Sequence, residues 1–171
     1  MSSLPADVLV IGFGGNVGDE AAIIDRFRNA RAAFAALGDL RSAPLYRTAA
    51  VGPAQAPFLN TAIRVRVAGA IGEEIIATVL EIERLLGRDR RTEARWGPRK
   101  IDLDVLAWGE RIIRTPDLEV PHPRLSERRF ALAPMVALFG DDLVLPGMTE
   151  SIGALERRAH DQALDEIAAS W

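Results

Sequence analysis

Asp102-Leu103-Asp104 stands inside an apolar run from Ile101 to Trp108. Side chains of an extended strand alternate between two faces, so both carboxylates share one face and Ile101, Leu103 and Val105 share the other. Carboxylates held that close to each other and to a core repel and lose hydration. A hard divalent cation such as magnesium relieves both costs; a solvated acidic strand face avoids them. Spacing alone leaves these readings level. Just upstream, Arg84, Arg88, Arg90, Arg91, Arg95, Arg99 and Lys100 crowd one stretch that only Asp89 and Glu93 offset. Guanidinium forks grip phosphate oxygens in pairs. A loop of them opposite a metal-binding carboxylate pair suits a polyphosphate, whereas a solvated loop or a nucleic-acid docking surface is the plainer alternative. Trp96-Gly97-Pro98-Arg99 counts against plain solvation, because a tryptophan in a polar loop needs something to pack on and Gly-Pro defines a turn.

Gly12-Phe13-Gly14-Gly15-Asn16-Val17-Gly18 invites two nucleotide readings and completes neither. A phosphate-cradling P-loop requires Gly-Lys-Ser/Thr, and Lys100 is the only lysine of the chain. The dinucleotide fingerprint requires a third glycine where Val17 stands, and no acid ends the second strand to hold a ribose. A tight strand-to-helix turn accounts for the run. His122, between Pro121 and Pro123, reads as a packed turn residue or as a rigidly held donor to a phosphate. His160 reads as a solvated residue of the tail.

The 171 residues suit a single domain, 1–171, with a core over about 8–149. About half are apolar (49%) and few are aromatic (6%), so the core must be aliphatic. A net charge of −3 argues against nucleic-acid or membrane-surface affinity, which needs a basic footprint. With no cysteine and two histidines, thiolate chemistry, disulfides and a histidine-rich zinc site are excluded. No stretch reads as a signal peptide or membrane span, so a cytoplasmic protein is expected.

These residues need a scaffold, and the periodicity supplies one. Val8–Phe13 reads as a buried strand. A helix opened by Asp19-Glu20 follows, with Ile23, Phe27, Ala30, Phe34 and Leu37 on one face and Gly38 as its stop. Leu40–Thr48 reads as a strand in which Pro44 implies an edge or a bulge. Leu59–Val67 reads as a third strand, placing Thr61, Ile63, Val65 and Val67 opposite Asn60, Ala62, Arg64 and Arg66. Gly72–Leu86 has a helical stripe of Ile75, Val79, Ile82 and Leu86, ended by Gly87. Ile101–Trp108 is the fourth strand, and Gly109-Glu110 predicts a hairpin into Arg111–Ile113. Arg129–Leu138 and the tail from Ser151 to Trp171 read as helical, the latter within an extension over 150–171. Strand, helix, strand, strand, helix, strand is the ferredoxin-like order. The expected fold is an α/β (α+β) sandwich: an antiparallel sheet, both helices on one face, the other face free for a ligand or for extra C-terminal elements.

Taken together, these segments resemble the 6-hydroxymethyl-7,8-dihydropterin pyrophosphokinase family of folate biosynthesis over about Val8 to Thr149. The strongest likeness is Arg95-Trp96-Gly97-Pro98-Arg99-Lys100-Ile101-Asp102-Leu103-Asp104. Gly15–Asp19, Tyr46-Arg47-Thr48, Gln55 with Phe58-Leu59-Asn60, Ile82-Glu83 with Gly87-Arg88, Val120–Arg124 and Arg128-Arg129-Phe130 support it. The resemblance implies an enzyme, an ATP-dependent diphosphotransferase. It would move diphosphate from ATP to the hydroxymethyl oxygen of the reduced pterin and release AMP. It implies two magnesium ions held by Asp102 and Asp104. Arg88 and Arg99 would meet phosphates, and Glu83, Arg88, Trp96, Arg99, His122 and Arg128 would form the ATP side. Phe58 and Phe130 would stack on the pterin, with Thr48, the Val51 backbone and Asn60 bonding its edge. A monomer with no nucleic-acid or membrane partner is implied.

The residues agree with those roles. A flat, polar-edged pterin needs stacking rings plus an amide and a hydroxyl that both donate and accept. No residue stands out as a general base. Gly15, Ala49, Leu80 and Pro123 depart from residues frequent in the family, which touches loop rigidity and affinity more than the reaction. An RNA-binding sheet would need aromatics on its central strands, where only Phe13 is offered. Another magnesium-dependent transferase would have no use for the Phe58, Asn60 and Phe130 set. A structural protein would leave the carboxylates and arginines unexplained.

Overall fold

The computed structural model describes residues 2–171. Its core is the expected ferredoxin-like sandwich, and each element follows from local sequence. Strand β1 (Val8–Gly15) pairs antiparallel with β4 (Phe58–Arg66) on one side and β5 (Asp102–Trp108) on the other. Next to β4 come β2 (Leu40–Ser42) and β3 (Leu45–Thr48), two pieces of one line broken at Ala43-Pro44. The ring of Pro44 cannot donate to a ladder, so the strand breaks there.

Two helices cover one face. Helix α1 (Glu20–Ala35) starts at Asp19, whose side chain accepts from the Ala22 amide. This cap satisfies one of the orphan donors of the first turn. Ile23, Phe27, Ala30 and Phe34 of α1 are buried, and so are Ile75, Val79 and Ile82 of α2 (Gly72–Leu85). They pack on Leu9, Ile11, Ile63, Val65, Leu103 and Val105, which alternate along three strands. Each fully buried large side chain contributes about 1.5–3 kcal/mol by leaving water. Leu37, expected on this face, is exposed instead: the helix ends at Ala35, before its turn comes round. Gly38 lets the chain pass close to the Arg66 carbonyl, where an added Cβ would lie 2.2 Å from the oxygen. Gly87, by contrast, does stop its helix, at φ +88°.

The opposite face is shared. A second apolar cluster joins Val8, Val10, Ala62 and Leu106 to Leu132 and Met135 of α3 (Arg129–Phe139) and to Ile152 and Leu155 of α4 (Ile152–Arg158). Leu106 reaches it through a bulge: Val10 pairs with Ala107 but Ile11 with Val105, so Leu106 is the extra residue.

Two elements differ from the sequence expectation. The hairpin after Gly109 does not return to β5; β6 (Ile113–Arg114) pairs with β7 (Glu119–Val120) in a small sheet of its own. Pro116 and Asp117 make that turn, a stronger signal than Gly109-Glu110. The tail is helical only over α4. Leu164–Ala168 forms β8, which pairs antiparallel with β3 and covers its edge. The sequence Leu-Asp-Glu-Ile-Ala carries no clean period, so only the waiting edge of β3 marks it as a strand. No helix among the described residues is long and apolar enough to cross a membrane.

Candidate active site

The part of the second face that α3 and α4 leave open is a cavity of about 520 Å³. Its floor is the middle of the sheet: Gly12 and Gly14 of β1, Asn60 of β4, Asp102 and Asp104 of β5. Glycine at 14 leaves room for Asn60, since a Cβ there would sit 3.2 Å from its Oδ1. Thr48, Ala49, Val51 and Phe58 form one wall. Arg95, Trp96 and Arg99 form a second, and His122, Arg124, Arg128 and Phe130 a third. Asn60 Nδ2 donates to Thr48 Oγ1 at 2.7 Å, so the amide keeps its oxygen for another partner.

Strand geometry puts both carboxylates toward the cavity, but their surroundings are opposite. Asp102 is neutralised on both oxygens. Arg88 Nη1 donates to Oδ1 and Arg99 Nη1 to Oδ2, each at 2.6 Å. Burial by itself would raise the Asp102 pKa; the two guanidiniums outweigh it and hold the carboxyl below its ordinary value. Among the described residues, the one cation within 4 Å of Asp104 is Arg128, at 3.9 Å. Burial, and then the charge of Asp102, push Asp104 up to about 6. A carboxylate pair with this residual repulsion, open to a cavity, is the donor set that a hard cation fits.

Arg88 and Glu83 stand apart from the other residues to which the family resemblance gives a site role, because neither lines the cavity. Glu83 is buried beneath β5, where it accepts from the Leu103 amide at 2.9 Å, from Arg88 at 2.6 Å and from Arg90 at 2.8 Å. Arg88 is buried with it and also donates to Glu93 at 3.0 Å. Burial opposes the charge of Arg88, but Asp102 and Glu83 outweigh it and raise its pKa. Leu80 points to solvent and is likewise outside the cavity.

His122 is held from two sides. Its amide donates to the Leu106 carbonyl at 2.9 Å, and its Nδ1 accepts from the Arg124 amide at 3.1 Å. With Nδ1 an acceptor, a neutral ring carries its proton on Nε2. Burial, helped by the Arg128 charge, lowers its pKa to about 4, so the ring is neutral at physiological pH.

Asn16 escaped the sequence reading as a site residue. Its side chain donates to Gln55 Oε1 and the Ala56 carbonyl, both at 2.9 Å, and accepts from the Arg99 amide at 2.9 Å. Gln55 in turn donates to the Trp96 carbonyl at 2.7 Å. One buried amide thus ties three loops, after β1, before β4 and before β5. Gly15 allows this, since a Cβ there would lie 2.8 Å from the Lys100 carbonyl. Trp96 adopts φ +66° and packs over Gly52, with Arg124 above its ring at 5.3 Å. An Asn directly after the glycines was the available signal, and its burial shows only in the fold.

The family model for 7,8-dihydro-6-hydroxymethylpterin-pyrophosphokinase matches residues 10–140. The 2-amino-4-hydroxy-6-hydroxymethyldihydropteridine pyrophosphokinase of Bacillus subtilis is 36% identical over 133 residues, 77% of this chain and 78% of that protein. The Synechocystis protein of the same name is 34% identical over 135 residues, covering 77% of this chain and 66% of its own length. A solved HPPK-DHPS structure in complex with substrates superposes with a TM-score of 0.67 at 12% identity, covering 90% of this chain and 43% of that one. At that identity the likeness speaks for the fold. The chain spans under half the length of such two-part proteins and about two thirds of the Synechocystis relative.

Proposed function

Since the chain belongs to the 7,8-dihydro-6-hydroxymethylpterin-pyrophosphokinase family, we propose that it transfers diphosphate from ATP to the hydroxymethyl group of 6-hydroxymethyl-7,8-dihydropterin. AMP is the other product. The observation that carries this reading is a single cavity whose lining combines two chemistries: carboxylates and arginines, and two phenylalanines with an amide–hydroxyl pair.

Diphosphate transfer with AMP leaving requires attack of the hydroxymethyl oxygen on the β-phosphorus. A bond forms from that oxygen to the β-phosphorus, and the bond from the β-phosphorus to the α,β-bridging oxygen breaks. Such a transfer depends on alignment and on stabilising charge more than on a strong base. Phe58 and Phe130 clamp the pterin faces, while Asn60, Thr48 and the Val51 backbone bond its edge. Arg99, Arg128 and the Nε2–H of His122 face the phosphates, and Trp96 closes the nucleotide side. Asp102 and Asp104 would hold magnesium, two ions with ATP, and the ions would shield the phosphate charge. Arg88 and Glu83 act from beneath: Arg88 holds Asp102 and Glu83 holds Arg88, so both are positioning residues in this conformation. We place residues 1–171 in one working domain, acting as a cytoplasmic monomer.

The test is to incubate the protein with ATP, magnesium and the hydroxymethyl-dihydropterin and to follow nucleotides. Pterin-dependent AMP is expected. ADP, or turnover indifferent to the pterin, would overturn the assignment.

A further inference from the structure

The tail carries a residue that no motif assigned. After α4 the chain turns at His160–Ala163 before entering β8, and Gln162 lies in the cavity wall. Its side-chain amide bridges both sides of Arg128. Gln162 Nε2 donates to the Glu127 carbonyl at 2.8 Å, and its Oε1 accepts from the Arg129 amide at 3.0 Å. Arg129 returns the contact, donating from Nη1 to the Gln162 carbonyl at 2.9 Å and from Nε to Glu156 at 2.7 Å.

The position of Arg128 makes this clip informative. Arg128 is the N-cap of α3, and its own side chain makes no capping bond. That position ordinarily takes Ser, Thr, Asp or Asn, whose oxygen satisfies a free amide of the first turn. An arginine cannot accept. Here the Arg129 amide is satisfied from outside the helix, and residue 128 is released to send a guanidinium into the cavity. The guanidinium rests 5.6 Å over the Phe130 ring and 3.9 Å from Asp104. Two residues beyond Gln162, Leu164 pairs with Thr48 on the other wall.

We propose that Gln162 is a positioning residue for the ATP-binding arginine: it takes over the capping of α3, and so fixes the direction in which Arg128 meets phosphate. This rests on the reading that Arg128 faces the nucleotide. Gln162 does not itself touch reacting atoms.

The test is a double-mutant cycle on Gln162→Ala and Arg128→Ala. The quantity read is the affinity for a non-hydrolysable ATP analogue with magnesium, measured by calorimetry. Gln162→Ala is expected to weaken binding about fivefold, the scale of one or two neutral hydrogen bonds, and to add nothing in the Arg128→Ala background. Gln162→Glu, which keeps the acceptor and loses the donor, should fall between. Hydrogen exchange at the Arg129 amide should quicken in Gln162→Ala, with a fall in melting temperature of no more than a few degrees. Equal losses in both backgrounds, or a silent Gln162→Ala beside a damaging Arg128→Ala, would overturn the proposal alone. Unchanged affinity in Arg128→Ala would overturn the placement of Arg128 on phosphate, and the proposal with it.

Discussion

Asp102 and Asp104 differ in protonation because they differ in company. Asp102 has two guanidiniums, whereas Asp104 has the charge of its neighbour and a distant Arg128. With its pKa raised to about 6, Asp104 favours the folded metal-free protein while protonated. That contribution is full below the unfolded carboxylate value near ~4 and is lost as pH rises through the folded one. Asp104→Asn should therefore raise the melting temperature of metal-free protein by a few degrees at pH ~7.5 and by almost nothing at pH ~4, as scanning calorimetry would show. The same proton competes with the metal, so manganese affinity with nucleotide present should fall as pH drops through ~6. His122, lowered to about 4, should contribute no step to a pH–rate profile between ~5.5 and ~8. The carboxylate pair was legible from period 2 and the arginines from their density. The partition of those arginines was not: which guanidinium is buried and which lines the cavity depends on Glu83 and Glu93, whose side-chain directions no spacing encodes.

Elements were legible where one period dominates. The stripes of α1 and α2 and the alternation in β4 and β5 reflect single-sided burial. Pro44 marked the break between β2 and β3 because a missing amide is a local property. Strand β8 was not legible, since it forms only because β3 leaves an edge to pair with. The loop following β1 belongs at this scale too. Gly15→Ala would press a Cβ against the Lys100 carbonyl, 2.8 Å away. Backbone on backbone cannot yield as a side chain tip does, so a cost of about 1–3 kcal/mol is expected. It should appear in urea unfolding, with a fall in kcat larger than any change in KM, because Lys100 adjoins Arg99.

At the scale of the whole molecule, the sheet is sealed by its own tail. Trp171 is buried among Phe13 and Phe27, and its indole N–H donates to the Ala43 carbonyl at 2.9 Å. Ala43 adjoins the break that sets the line of β3, and β3 carries Thr48. Trp171→Ala should cost about 3–5 kcal/mol and raise KM for the pterin more than for ATP, readable by thermal melts and steady-state kinetics. The three loops tied through Asn16 have a further consequence. Loops with separate anchors would breathe separately, each with its own exchange rate. Here one side-chain amide serves all three, so they are expected to open together. The wall that carries Arg95, Trp96 and Arg99 is thereby anchored to the rest of the site through two carboxamides, Asn16 and Gln55, and not through an arginine.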